Sequence, residues 1–116
     1  MTPINQLVLE CTVSHDAETT AIKFGTVTKF PVSYTRDFRN AKDEVVKEEA
    51  SFDVELYGAF GQSLEALLKR GKEIQIIGRL KQDRWKGDDG KMHSRLFIVA
   101  EHIDFPKTEE ESKEEE

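Results

Sequence analysis

The sequence predicts a mainly β domain, a small five-stranded barrel with Greek-key connections and one short helix. Three observations carry that expectation. Apolar and polar residues alternate in five separate segments, one segment alone spaces its leucines for a helix, and Asp88, Asp89 and Gly90 mark a turn between the last two alternating runs. At 116 residues the chain holds one domain with one core.

From Ile4 to Ser14, Leu7, Leu9, Cys11 and Val13 occupy every second position, the signature of a strand with one face buried. A polar turn over 15–20 leads to a long second strand from Ala21 to Phe38. Phe30, Val32 and Tyr34 share one parity there, and Lys29, Ser33 and Thr35 the other. Pro31 has no N–H to give a ladder, so a bulge or a locally unpaired stretch is expected beside it. The charged segment Arg39 to Glu49 has no apolar period and predicts a long hairpin loop.

Phe52, Val54 and Leu56 define a third strand that ends near Gly58. Between Phe60 and Arg70, Leu64, Leu67 and Leu68 form a helical stripe. Lys69 and Arg70 suit the negative end of that helix, and Gly71 suits the position just past it. Ile74, Ile76 and Leu80 mark a fourth strand reaching Trp85, and a fifth runs from Met92 to Phe105. Three strands, a helix and two more strands is the order of the OB-fold. The domain is expected over 1–105, and residues 106–116, with six glutamates and almost no apolar surface, are expected to be a disordered acidic tail.

The formal net charge of −6 is distributed unevenly. Setting aside the six glutamates and two lysines of 106–116 leaves 17 acidic and 15 basic residues, so the body is nearly balanced. A balanced body binds a polyanion only if its cations cluster, because potentials fade within about 8–10 Å at physiological salt. Cys11 is the only cysteine, which excludes an intrachain disulfide and fits a reducing compartment. No basic-then-apolar leader opens the sequence and no apolar run is long enough to span a bilayer, so a cytoplasmic, nucleoid-associated location is expected.

Catalysis needs a nucleophile, a base and an electrostatic stabiliser in one constellation, and no such set is visible. His15, His93 and His102 fit no zinc spacing, and Gly71-Lys72 lacks both the earlier glycine and the following hydroxyl residue of a phosphate loop. Asp88 and Asp89 read as turn residues rather than a catalytic pair. The expectation is a protein without enzymatic activity, cofactor or metal.

Binding has better support. On the fourth strand Arg79, Lys81 and Trp85 share one parity, opposite Ile74, Ile76 and Leu80, so cations and an indole face away from the core; Arg84 and Lys86 add charge beside the indole. Tyr57 lies on the parity opposite Phe52, Val54 and Leu56, and Phe38 stands between Arg36 and Arg39 where its strand ends. Cations neutralise phosphates and exposed rings stack unpaired bases, the two needs of a single-strand binder. A solvated strand face with one tryptophan over an apolar patch, and a loop anchor at Phe38, are the plain structural alternatives.

The order Asn5-Gln6-Leu7-Val8-Leu9, Val54-Glu55-Leu56-Tyr57-Gly58, Leu67-Leu68-Lys69-Arg70-Gly71, Gly78-Arg79-Leu80 and Trp85 resembles the bacterial single-stranded DNA-binding protein family over residues 4–105. The resemblance implies an OB-fold that binds single-stranded DNA in replication, recombination and repair, usually as a homotetramer, with stacking positions at Phe38, Tyr57 and Trp85. A further family position, usually aromatic, falls on Ser51, with Phe52 beside it. The family's acidic tail normally ends in an apolar, proline-containing tip that docks replication and repair proteins; Glu109 to Glu116 has no such tip, and its charge is expected to compete with DNA for the basic face.

The mechanism so implied has phosphates following Lys29, Arg36, Arg39, Arg79, Lys81, Arg84 and Lys86 while bases stack on the three rings. Two other readings stay open: an OB-fold module that assembles proteins of the replication machinery, favoured by the acidic balance, and an RNA-binding OB domain of cold-shock character, which uses the same stacking chemistry.

Overall fold

Alternating segments with one apolar face can bury that face only by closing on one another. In the computed structural model, which describes residues 2–106, they close into a barrel. The elements are β1 (Leu7–Val13), β2 (Glu18–Ile22), β3 (Gly25–Arg39), β4 (Val45–Tyr57), α1 (Gly58–Leu64), β5 (Glu73–Lys86) and β6 (Met92–Asp104). The sheet runs β1-β5-β6-β4-β3-β2, and a short β1–β3 pairing, Thr12 with Ser33 and Val13 with Val32, closes five of its strands. Adjacent pairs are antiparallel except β4–β6, where Val54 lies parallel to Ile98. This is the OB-fold expected from the sequence, with α1 packed against β3 and β4.

The inward parity builds the core. Cys11, Val13, Phe30, Val32, Val54, Leu56, Ile74, Ile76 and Ile98 are all buried in one cluster, to which Leu68 adds a fully enclosed side chain. Gly61 lets α1 approach closely, since a Cβ there would stand 2.7 Å from that of Leu56. Burial pushes the Cys11 thiol up to about 11 by removing the water that would solvate a thiolate.

Four expectations need correction. The polar turn after β1 leads first into β2, which pairs with β3 through a two-residue turn at Lys23 and Phe24; α1 therefore lies between the fourth and fifth strands. β2 escapes a reading by period because four of its five residues are exposed. Pro31 makes no bulge against β4, where the register runs unbroken from Val27 to Arg39. Its missing donor points to the other edge, into the gap where β3 leaves β2 after Lys29 and has not yet met β1 at Val32. There is no bulge, and on that edge the Pro31 carbonyl still accepts from the Ser14 amide at 2.9 Å, so only the donor is missing.

The segment Arg39 to Glu49 is no long loop. β3 and β4 pair out to Arg39 and Val45, leaving only residues 40–44 as a turn. The Asn40 carboxamide oxygen accepts from the Lys42 and Glu44 amides at 2.9 and 3.0 Å, and Asp43 takes the left-handed conformation with φ 61°. Arms wet on both faces need no apolar period, and opposite charges across the ladder stand in for it, Arg36 with Glu48 at 3.6 Å.

The helix is shorter and earlier than its leucine stripe suggests, ending at Leu64. The amides of Leu67 and Leu68 tighten onto the Leu64 carbonyl, and the Leu68 carbonyl then accepts from Ala17 at 2.9 Å, which ties the chain to the β1–β2 connection. Lys69 and Arg70 do not cap a dipole; Asp16 takes the Arg70 amide at 2.8 Å and pairs with Lys69 at 3.9 Å. Gly71 keeps its left-handed φ of 88°, in a turn whose amide donates to Val13. The acidic tail expected over 106–116 lies, apart from Pro106, outside the described residues.

Candidate nucleic-acid interface

Period two assigns every side chain of β4, β5 and β6 to one of two faces, and the registers say which residues meet on the outer one. Arg79 stands opposite Val99, Lys81 opposite Phe97, Asp83 opposite Arg95 and Trp85 opposite His93. From β4, Tyr57, Glu55 and Asp53 join the same side, paired with Val27, Lys29 and Pro31 of β3. The sequence-predicted Tyr57, Trp85, Arg79, Lys81 and Lys29 are thus brought to one face.

Both rings are available. Trp85 is 47% exposed and Tyr57 41%. The indole lies against His93, with ring centroids 5.8 Å apart and planes 23° from parallel, and the Asp89 carboxylate meets the far imidazole nitrogen at 3.1 Å. Asp89 also accepts from the Lys91 amide, and that bond followed by the His93 contact holds its carboxyl below the usual carboxylate range. The Asp89 carboxylate of the turn thus serves to fix His93, which backs the indole.

The Tyr57 hydroxyl donates to Glu55 Oε1 at 3.1 Å. Partial burial, and then the Glu55 charge, push the phenol above its ordinary value, so it stays a donor at physiological pH. The other Glu55 oxygen lies 2.9 Å from Arg95 Nη2. Glu55 is a buried carboxylate on an outer face, and Phe97, Val99 and Val27 are buried there too. They form a small second apolar layer, separate from the core, roofed by charged side chains. Arg95 lies 4.3 Å from the Phe97 ring centroid and Lys81 5.9 Å from it.

Sequence reasoning missed Glu55, His93, Arg95 and Phe97. The signal was the parity of the last strand: His93, Arg95, Phe97 and Val99 alternate with Ile98 and Ala100, just as Tyr57 alternates with Leu56. Three other expected residues, Arg36, Phe38 and Arg39, sit on the projecting β3–β4 arm. Phe38 is 37% exposed with the Arg36 guanidinium 5.5 Å from its ring, while Arg39 donates to the Asp43 carbonyl at 3.0 Å. Arg36 and Phe38 share the parity of Phe30 and Val32, not that of Tyr57, so they belong to the arm's other face.

Arg84 and Lys86 are corrected as neighbours of the indole. They face the opposite way, paired with Ser94 and Met92 beside exposed Leu80, because adjacent strand residues point to opposite sides. Ser51 shares the face of Tyr57 but offers no ring, and Phe52 packs against the core instead. A groove of about 380 Å³ opens beside the aromatic face, where Lys29 and Arg95 stand among the carboxylates of Asp16, Glu18 and Asp53. A larger hollow, about 510 Å³, has Glu10, Glu73 and Asp104 in its walls and no cation, which is the wrong charge for a polyanion.

The profile described as the single-strand binding protein family matches residues 4–106. The chain belongs to that family. A single-stranded DNA-binding protein from Aquifex aeolicus is 31% identical over 97% of this chain and 79% of its own length, and one from Treponema pallidum is 31% identical over 89% and 58%. Among solved structures, a deletion mutant of the Thermus aquaticus single-stranded DNA binding protein superposes with a TM-score of 0.81 at 22% identity, covering 93% of this chain and 53% of that one. Plasmodium falciparum SSB in complex with ssDNA superposes at 0.80 and 16% identity, covering 92% and 98%. The family member described here thus shares the fold of these structures and spans little more than half of the Treponema and Thermus chains.

Proposed function

We propose that this family member binds single-stranded DNA with little sequence preference, by stacking bases on exposed rings and pairing phosphates with lysine and arginine, and performs no chemistry on it. The observation that carries the reading is the convergence of Tyr57 and Trp85 with Lys29, Arg79 and Lys81 on one outer face. Every base has a stacking face, so rings without a hydrogen-bonding pocket bind without reading sequence. Phe38 and Arg36 add a ring and a cation on the other face of the projecting arm, with Arg39 at its end, and Arg84 and Lys86 add positive potential from the far side of the β5–β6 hairpin. The naming of the Aquifex and Treponema relatives supports the choice of DNA over RNA.

The family likeness supports a role guarding unpaired strands in replication, recombination and repair, at the nucleoid, as a homotetramer. Among the described residues no helix is long and apolar enough to cross a membrane. The carboxylates of Asp53, Glu55 and Asp83 on the same outer face favour a second reading, a module that assembles replication proteins. Affinity for oligo-dT separates the two. Each stacked base is worth about 1–3 kcal/mol, so Trp85→Ala should weaken binding by roughly fivefold to a hundredfold while leaving thermal unfolding unchanged. Equal affinity of the variant and the parent removes the site, and a preference for matched oligo-U over oligo-dT turns the assignment to RNA.

A further inference from the structure

On the face already assigned to DNA, Arg95 is drawn to two carboxylates within the protein, where Arg79 pairs with Glu101 at 3.5 Å. Its Nη2 lies 2.9 Å from Glu55 Oε2 and its Nε 3.8 Å from Asp53 Oδ2, and Asp83 faces it across the β5–β6 ladder. A guanidinium shared among carboxylates has little charge left for a phosphate. Its plane is another matter. The guanidinium carbon sits 4.3 Å from the centroid of Phe97, whose ring is only 2% exposed, so arginine covers the ring. The Arg95 side chain itself remains 32% exposed and lines the open groove beside Lys29 and Pro31. Guanidinium planes stack on bases as aromatic rings do.

We propose that Arg95, held over Phe97 by Glu55 and Asp53, is a base-stacking platform of this interface rather than a phosphate contact, with a nucleobase seated on its groove side. Glu55 then serves two platforms at once, since its other oxygen accepts from the Tyr57 hydroxyl. The inference rests on the DNA-binding reading and deepens it. It predicts that Lys29 supplies the phosphate contact at this groove, with Arg95 holding the base beside it.

Stacking and phosphate pairing separate in an experiment with two strands. Arg95→Lys keeps the positive charge and the reach to Glu55 but loses the plane. A platform predicts that it weakens binding to oligo-dT by about fivefold to a hundredfold with no change in the salt slope, and has no effect on an abasic oligomer of equal length, which offers phosphates without bases. A phosphate contact predicts near-parental affinity for Arg95→Lys on both strands and, for Arg95→Gln, a slope smaller by about 0.7; that pattern overturns the proposal.

Trp85→Ala, run alongside, keeps the two readings apart. If it weakens binding while Arg95→Lys does not, the platform alone is wrong; if the parent chain does not bind oligo-dT, both fall. Should Arg95→Lys not fold, the Arg95 Nε–H proton resonance of the parent chain decides. A base stacked on the guanidinium moves it upfield as oligo-dT is added, and a downfield shift of a phosphate hydrogen bond contradicts the platform.

Discussion

Tyr57 and Trp85 sit on β4 and β5 with β6 between them, and what makes them usable is the company each keeps. His93 backs the indole and Glu55 holds the phenol, so neither ring has to be ordered by the ligand and less entropy is lost on binding. Their outward direction was legible because period two leaves a strand residue no third choice. Arg84 and Lys86 flank the indole in sequence, and the same rule turns them to the opposite face. Glu55 and Arg95 stayed hidden because a carboxylate on the proposed DNA-binding face looks adverse until its arginine partner, forty residues away in sequence, is seen. Cys11 supplies a test of the inner face. A free thiol ionises near 9, and burial holds this one protonated to about 11. The folded state therefore keeps its advantage below pH 9 and loses it as pH climbs toward 11, by about 1–2 kcal/mol at pH 10.5. Urea midpoints of the parent and Cys11→Ala, compared at pH 8 and 10.5, should converge by that amount; a constant gap would mean that the thiol is not enclosed.

At the scale of elements, the strands that line the core could be read and those that leave it could not. β1, the inner parts of β3 and β4, and β5 and β6 each bury one parity, so their pattern is written in apolar residues. β2 and the outer β3–β4 arm are wet on both faces. Their pairing rests on backbone ladders, the Asn40 turn and cross-strand charges, none of which imposes an apolar period. The helix was read too long because its three leucines divide their work: Leu68 is enclosed, Leu64 packs partly, and Leu67 is half exposed. The β5–β6 hairpin bends at a register shift beside Gly78, where a Cβ would collide with the Val99 carbonyl oxygen, backbone that has no room to yield. Gly78→Ala should cost about 2–3 kcal/mol of stability in denaturant titration, and an unchanged midpoint would refute the close approach of these two strands.

For the whole molecule, the closed barrel separates two tasks that a flat sheet would mix. The inward parity holds the fold, and the outward parity of β4, β6 and β5 is left to bind. At the proposed interface of this chain of net charge −6, Lys29, Arg79 and Lys81 are the cations offered to phosphates, and they share the face with Asp53, Glu55 and Asp83. Trp85 is the only tryptophan, so its fluorescence reports on the interface alone. Titrating that signal with oligo-dT at 50 and 200 mM salt tests the central claim most directly. About four phosphate contacts give a slope near −2.8 on logarithmic axes, so saturable quenching should persist while affinity falls by roughly 50-fold between the two conditions. Fluorescence that does not respond to the strand, or an affinity that does not change with salt, would contradict an interface built from stacked rings and paired phosphates.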